Sequence, residues 1–189
     1  MNITVYLGAS KGGDRMYARE AKALGQWIGA QGHRLIYGGS RCGLMGVLAD
    51  AVLENGSEVI GVEPSFFLEG ELQHDGITRL IVTDTMTERR QKMIELGDAY
   101  IAFPGGTGTL EEISEVISLK KLGHLDKPVI LLNLEGYYEP LIAMFQKMVK
   151  EGFLGREQLD KVFFAPDIES AALHIGQYPL PDSRGLFPR

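Results

Sequence analysis

Short apolar runs alternate along this chain with longer stretches of helical spacing, and that alternation leaves few folds open. Ile3–Leu7, Arg34–Tyr37, Glu58–Val62, Ile77–Val82, Ala99–Phe103, Pro128–Leu132 and the short Val162–Phe164 read as strands. Met16–Gln31, Leu44–Leu53, Thr85–Leu96, Thr109–Lys121, Tyr138–Lys150 and Ile168–Ile175 read as helices. Glu63–Gly76 has no period and reads as a long loop with room for a helical turn. The strands are continuous apolar runs, as parallel strands covered on both faces should be. The expectation is an α/β fold: one domain over residues 1–178, a doubly wound parallel sheet with helices on both faces. Residues 179–189 are Pro-rich and polar and read as a disordered tail.

Ligands of such sheets sit beyond the carboxyl ends of the strands, and three glycine loops fall there. The most informative is Phe103-Pro104-Gly105-Gly106-Thr107-Gly108-Thr109-Leu110-Glu111-Glu112, between a strand and a helix. Glycine lets backbone turn tightly and approach a ligand closely. Unpaired N–H groups at a helix start, with the helix dipole behind them, attract an anion such as phosphate. Thr107 and Thr109 add hydroxyls, although Thr109 could equally be an ordinary N-cap. Glu111 and Glu112 could simply complement the dipole. Neighbours on a helix point about 100° apart, so at most one of them faces a ligand. A carboxylate there would suit a sugar better than a phosphate, stabilising an oxocarbenium-like transition state or activating water.

Arg89 and Arg90 open the helix that follows Asp84-Thr85-Met86-Thr87-Glu88. Bases at that position oppose the helix dipole, and such local conflicts often mark function. An arginine here could grip a phosphate, orient the carboxylate, or lie on a solvated face. The other glycine loops, Gly8–Gly13 and Gly38–Gly46, match neither the dinucleotide fingerprint nor the Walker A loop.

Composition narrows the field further. A net charge of −6 and a pI near 5.3 disfavour a polyanionic partner such as nucleic acid. The single cysteine, Cys42, cannot form an intrachain disulfide, and with no histidine near it in sequence it makes a poor nucleophile. His33, His74, His124 and His174 are too scattered for a metal site. No signal peptide and no membrane-length apolar segment is read, so the expected location is the cytoplasm.

From Val5 to about Leu154 the chain resembles the LONELY GUY family of cytokinin riboside 5′-monophosphate phosphoribohydrolases, long labelled lysine decarboxylases. The family motif Pro-Gly-Gly-x-Gly-Thr-x-x-Glu fits Pro104–Glu112, with Thr107 where an aromatic is usual. A second motif, Met-x-x-Arg-Lys, stands here as Met86-Thr87-Glu88-Arg89-Arg90, Arg90 replacing the lysine. Gly38–Gly46 and Gly136-Tyr137-Tyr138 also look like the family. The resemblance implies a Rossmann-like fold and a homodimer with the site near its interface. It implies Arg89 and Glu112 as catalytic residues. Substrate contacts are implied at Glu71, Arg90, Gly105, Gly106, Thr107, Gly108, Thr109, Leu110 and Glu111, and at Ser118, where the family often has threonine. The implied reaction is hydrolysis of the N-glycosidic bond of AMP or an N6-substituted relative to base and ribose 5-phosphate, with no metal or organic cofactor.

In that reading the glycine loop and arginines hold the 5′-phosphate while Glu112 faces C1′, kept ionised by Arg89. The acid that protonates the leaving base stays unassigned, with Asp84 and Glu71 as weak candidates. A pyridoxal-phosphate decarboxylase would need a Schiff-base lysine, and the nearest to the loops is Lys11. The alternative is a carrier that binds a nucleotide or pterin-type cofactor on the same fold without turnover.

Overall fold

The computed structural model of the chain describes residues 1–68 and 72–179. Within them lies a seven-stranded sheet. Its strands are β1 (Asn2–Tyr6), β2 (Arg34–Tyr37), β3 (Val59–Pro64), β4 (Arg79–Thr83), β5 (Ala99–Ala102), β6 (Val129–Leu132) and β7 (Val162–Ala165). They lie in the order β4-β3-β2-β1-β5-β6-β7, every pair parallel. Helices cover both faces: α1 (Arg15–Ala30), α2 (Gly43–Glu54), α3 (Ser65–Leu68), α4 (Met86–Leu96), α5 (Thr107–Lys121), α6 (Glu139–Lys150), α7 (Arg156–Leu159) and α8 (Ile168–Gly176). The doubly wound parallel sheet expected from the sequence is the fold observed.

Alternate strand residues feed two separate cores. Ile3, Val5, Leu35, Tyr37 and Ile101 pack with Leu24 and Ile28 of α1 and Leu48 and Val52 of α2. Tyr6, Ile36, Val62 and Tyr100 pack with Met93 of α4 and Ile113 and Val116 of α5. Polar residues within strands are tied down locally: Thr4 donates from Oγ1 to the Met93 carbonyl at 3.1 Å, and Asn2 donates to that of Leu96 at 2.8 Å. Strand β4 departs from the expectation of strands buried on both sides. It is one of the two edge strands, and Arg79 and Val82 on it are exposed.

Other boundaries move by small steps. Helix α5 starts at Thr107 with Gly106 as N-cap, so Thr109 is no cap but a buried residue of the first turn. The loop after β3 does hold a helical turn, α3. Helix α7 and a 3-10 turn over Leu134–Gly136 were not legible, because a single turn has no period to read. Glu71 and all of the expected tail except Pro179 lie outside the described residues.

Successive strands after β1 step away on one side of it, while β5 pairs on the other. Loops following β1 and β5 therefore diverge above the sheet, the position where such folds hold ligands. Here they stay in touch: a Cβ placed on Gly105 would lie 3.1 Å from the Gly8 nitrogen. The loop after β2 leans on the same place, because Gly43 (φ +61°) packs on the Ala9 carbonyl too closely for any side chain.

On the other face of the sheet from α4 and α5, α1 and α2 pack through glycine. A Cβ on Gly25 would stand 2.7 Å from both the Ala51 Cβ and the Leu48 carbonyl oxygen. Gly25→Val should lower unfolding free energy by about 1–3 kcal/mol or more through overpacking, seen as a lower urea midpoint. Gly13→Ala meets nothing within 4 Å and should change stability by less than about 0.5 kcal/mol.

Candidate active site

Helix α5 begins with Gly106 in extended geometry and no side chain bonding to the free amides. The first amide paired inside the helix is that of Leu110, which donates to the Gly106 carbonyl at 3.2 Å. The N–H groups before it are those a helix start leaves available. Of the motif glycines, only Gly105 is sterically required: a Cβ there would collide with Thr109 Oγ1. Gly106 and Gly108 border open space, where a ligand can reach the backbone. Thr107 and Leu110 are exposed beside them, while Thr109 is buried under Gly105.

Two tyrosines brace this loop from the start of α6. Tyr137 donates its hydroxyl to the Gly105 carbonyl at 2.5 Å, and Tyr138 donates to that of Phe103 at 2.9 Å. Tyr137 also meets Tyr17 of α1 edge-on at 6.0 Å. Together with Gly8, Ser10, Gly105 and Gly106, Tyr17 and Tyr137 line a cavity of about 220 Å³ at the β1–β5 divergence. A larger cavity, about 800 Å³, lies between α1 and α8 beside Met1 and Trp27, and no motif residue lines it.

The charged centre stands next to the glycine loop. Thr85 and Glu88 form a capping box that fixes the first turn of α4: the Glu88 amide donates to Thr85 Oγ1 at 3.2 Å, and the Thr85 amide to the Glu88 carboxylate at 3.3 Å. Glu88 thus complements the helix dipole, leaving Arg89 to turn inward. Arg89 is 8% exposed. Its Nε donates to the Val62 carbonyl at 2.9 Å and its Nη1 to Glu112 Oε1 at 2.5 Å. Its Nη2 lies so near Gly38 that a Cβ there would come within 2.6 Å. Glu112 is 9% exposed and sits on the inner side of α5, one turn past the glycine loop.

Burial pushes the Glu112 carboxyl above its ordinary range, and Arg89 only partly pulls it back. Burial and the Glu112 carboxylate also raise the Tyr6 phenol. Arg90 and Glu111, both expected at the substrate, pair with each other at 3.0 Å, and Arg90 also holds Glu115 at 3.0 Å. Ser118 is exposed further along α5, where its hydroxyl donates to the Ser114 carbonyl at 2.8 Å. Asp84 is exposed, its amide donating to Glu88 at 2.9 Å. Sequence reasoning missed Glu63, which is 2% exposed in β3 near this centre. The available signal was a carboxylate inside an otherwise apolar buried strand.

Among the described residues no group of three or more histidine, cysteine, aspartate or glutamate side chains could hold a metal ion. Nor is any helix among them long and apolar enough to cross a membrane. Residues 45–175 match the family described as "Possible lysine decarboxylase". A cytokinin riboside 5′-monophosphate phosphoribohydrolase of Rhodococcoides fascians is 43% identical, over 92% of this chain and 88% of its own. One from Oryza sativa subsp. japonica is 38% identical over 93% of this chain and 73% of its own. A solved structure, the molybdenum cofactor binding protein of the phototrophic bacterium Rippkaea orientalis, superimposes with a TM-score of 0.71 at 25% identity. That match covers 93% of this chain and 95% of the other.

Removing one partner of a buried ion pair strands the other. Arg89→Ala should therefore cost about 3–5 kcal/mol of stability at neutral pH. The loss should shrink as pH falls, since Glu112 left alone takes up a proton, and Arg89→Ala/Glu112→Gln should recover much of it. Urea unfolding of the three variants at two pH values checks both statements.

Proposed function

The chain belongs to the LONELY GUY family, the one described as possible lysine decarboxylases, and on that premise we propose that it is a phosphoribohydrolase. It hydrolyses the N-glycosidic bond of AMP or an N6-substituted riboside 5′-monophosphate. Water adds through its oxygen to C1′, the C1′–N bond breaks, and a proton reaches the departing base nitrogen. The products are free base and ribose 5-phosphate.

One observation carries this reading: Glu112, a buried carboxylate one helical turn from a set of open amides, aligned by Arg89. In the proposed complex the 5′-phosphate lies at Gly105, Gly106, Thr107, Gly108 and Thr109, within reach of the cavity walls. Glu112 then meets the sugar and stabilises positive charge developing at C1′. Binding the phosphate positions the sugar for reaction. Leu110 and Glu111 are exposed on the same turn of α5, and Arg90 reaches Glu111 from α4. We assign them, with Glu71 and Ser118, secondary substrate contacts.

The decarboxylase description finds no support at this site. No lysine lines the described cavity, and the Lys120 ammonium donates to the Lys127 carbonyl at 2.7 Å. A carrier role has the Rippkaea structure behind it. A carrier, however, has no use for a carboxylate held this firmly beside its anion site, and this favours turnover.

Helix α6 supports a homodimer. Leu141, Ile142, Phe145, Met148 and Val149 form a stripe along it, none is buried, and Met144 and Phe153 nearby are 51% and 80% exposed. The helix follows closely on Tyr137, a wall of the cavity, so a partner docked on it would stand beside the site. A cytoplasmic location agrees with the single unpaired cysteine.

Incubation with AMP and N6-isoprenyl AMP should release free base, whereas adenosine, lacking the phosphate, should not react. Glu112→Gln should keep the fold and lose about 10²-fold or more in kcat. Wild-type rates in Glu112→Gln would remove Glu112 from the chemistry, and binding of AMP without base release would support the carrier.

A further inference from the structure

Glu63 has no role in the mechanism above, yet it is among the most buried charged groups described. It lies near the carboxyl end of β3, 2% exposed, and its Oε2 is buried with no hydrogen-bond partner. The Tyr37 hydroxyl, on the neighbouring strand, is also buried without a partner, and Glu63 is the charge that acts on it most strongly. Residues 72–74 pair with the loop that carries Gly39: the His74 amide donates to the Gly39 carbonyl and the Arg41 amide to that of Leu72, both at 2.9 Å. His74 Nδ1 accepts from the Gly76 amide at 3.1 Å, so Nε2 carries the hydrogen donated to Asp50 at 2.8 Å. Among the described residues, Arg89 of α4 and Tyr37 of β2 are the charged and titratable groups that act with Glu63, and beyond Tyr37 lies the Asp50–His74 pair of α2 and the 72–74 segment.

Glu63 and Arg89 flank one dipeptide. Arg89 Nη2 presses on Gly38, and Glu63 presses on Gly39, where a Cβ would lie 3.2 Å from the Glu63 Cβ and 3.5 Å from its Oε2. Arg89 is also bonded to the carbonyl of Val62, the residue before Glu63. Two successive glycines thus take the guanidinium against one and this second carboxyl against the next.

We propose that Glu63 is a positioning residue for the Arg89–Glu112 pair, acting on Arg89 across Gly38-Gly39; the proposal rests on the hydrolase reading. Two buried carboxyls then face a single guanidinium. With both ionised, the centre carries an uncompensated buried charge, which is costly. With a proton on Glu63, Glu112 keeps the whole of Arg89. Burial holds the Glu63 proton above the ordinary carboxylate range against the pull of Arg89. When Glu63 does ionise, it competes for Arg89 and loosens Glu112. The two carboxyls titrate as a coupled pair.

The first test is the pH dependence of AMP cleavage by wild type and Glu63→Gln, which fixes the neutral form. The wild-type kcat should fall on the alkaline side. Glu63→Gln should lack that fall or show it about one pH unit or more higher, with KM unaltered. A fall at the same pH in both proteins overturns the proposal. So does a folded Glu63→Gln that is inactive at every pH, because Glu63 would then be a reacting group.

The second test reads stability and needs no turnover. The folded chain holds the Glu63 proton to higher pH than the unfolded chain. The stability linked to it is complete below the unfolded value and is lost as pH rises through the folded one. The Tm of Glu63→Gln relative to wild type should therefore climb with pH. That climb should change when residue 112 is also made glutamine, because both carboxyls act on one arginine. Strictly additive shifts, or no climb, overturn the proposal. If wild type releases no base from AMP, the hydrolase reading fails, and this cycle still decides whether Glu63 and Glu112 are coupled.

Discussion

The ion pair of Arg89 and Glu112 is buried above the sheet, and much of the surrounding sequence answers to it. A guanidinium and a carboxylate removed from water lose hydration that their mutual attraction only just returns. Every remaining donor and acceptor therefore needs a place. Arg89 spends Nε on the Val62 carbonyl at the end of β3 and Nη1 on Glu112. Gly38 is bare so that Nη2 can fit. Thr85 and Glu88 hold the helix turn from which Arg89 projects, and Glu88 also supplies the negative charge that the α4 dipole would otherwise lack. The end of β3, the loop after β2 and two helices thus meet at one guanidinium.

The same geometry accounts for how a carboxylate can sit beside the proposed anion site. Side by side on α5, Glu111 and Glu112 diverge by a helix step: the first turns out to Arg90, the second in to Arg89. Each is matched by one of two consecutive arginines on α4. The doublets pair in register, so both carboxylates next to the open amides are compensated. A phosphate approaching Gly106 and Gly108 meets partial positive charge from the helix start, not a pair of bare acids. This local balance is how a chain with a net charge of −6 can present an anion site.

How far the sequence was legible follows from the range of each interaction. The sheet, its direction and the helices on both faces come from periodicity, which is local and repeats over many residues. The start of α5 was misjudged by two residues, because Thr109 is a good capping residue and glycine is a silent one. What Thr109 does instead is fill the space left by Gly105. Exposure of β4 depends on strand order, and no single strand carries that information. The two arginines looked alike in sequence, and their separation into a buried and a half-buried one depends on the phase of α4 against β3. Glu63 was read as the first residue of the loop, because an acid ends the apolar run, whereas β3 continues through Pro64. Its link to Arg89 was not legible, since 25 residues of chain lie between them and a glycine pair brings them together.

Burial and catalysis impose different demands on this centre, and the difference bears on what the fold is for. An apolar replacement of similar shape would often serve stability as well as a buried ion pair or better. Binding an anion needs only the amides of α5 and the backbone of the loop after β1, both of which are present without Arg89 or Glu112. The pair is therefore surplus to folding and, in the proposed complex, to phosphate binding. It becomes intelligible when a positive charge has to be met close to the bound phosphate, for a short time, by a carboxylate already in place. An oxocarbenium-like sugar is such a charge, and a fixed carboxylate stabilises it without having to reorganise as the bond breaks.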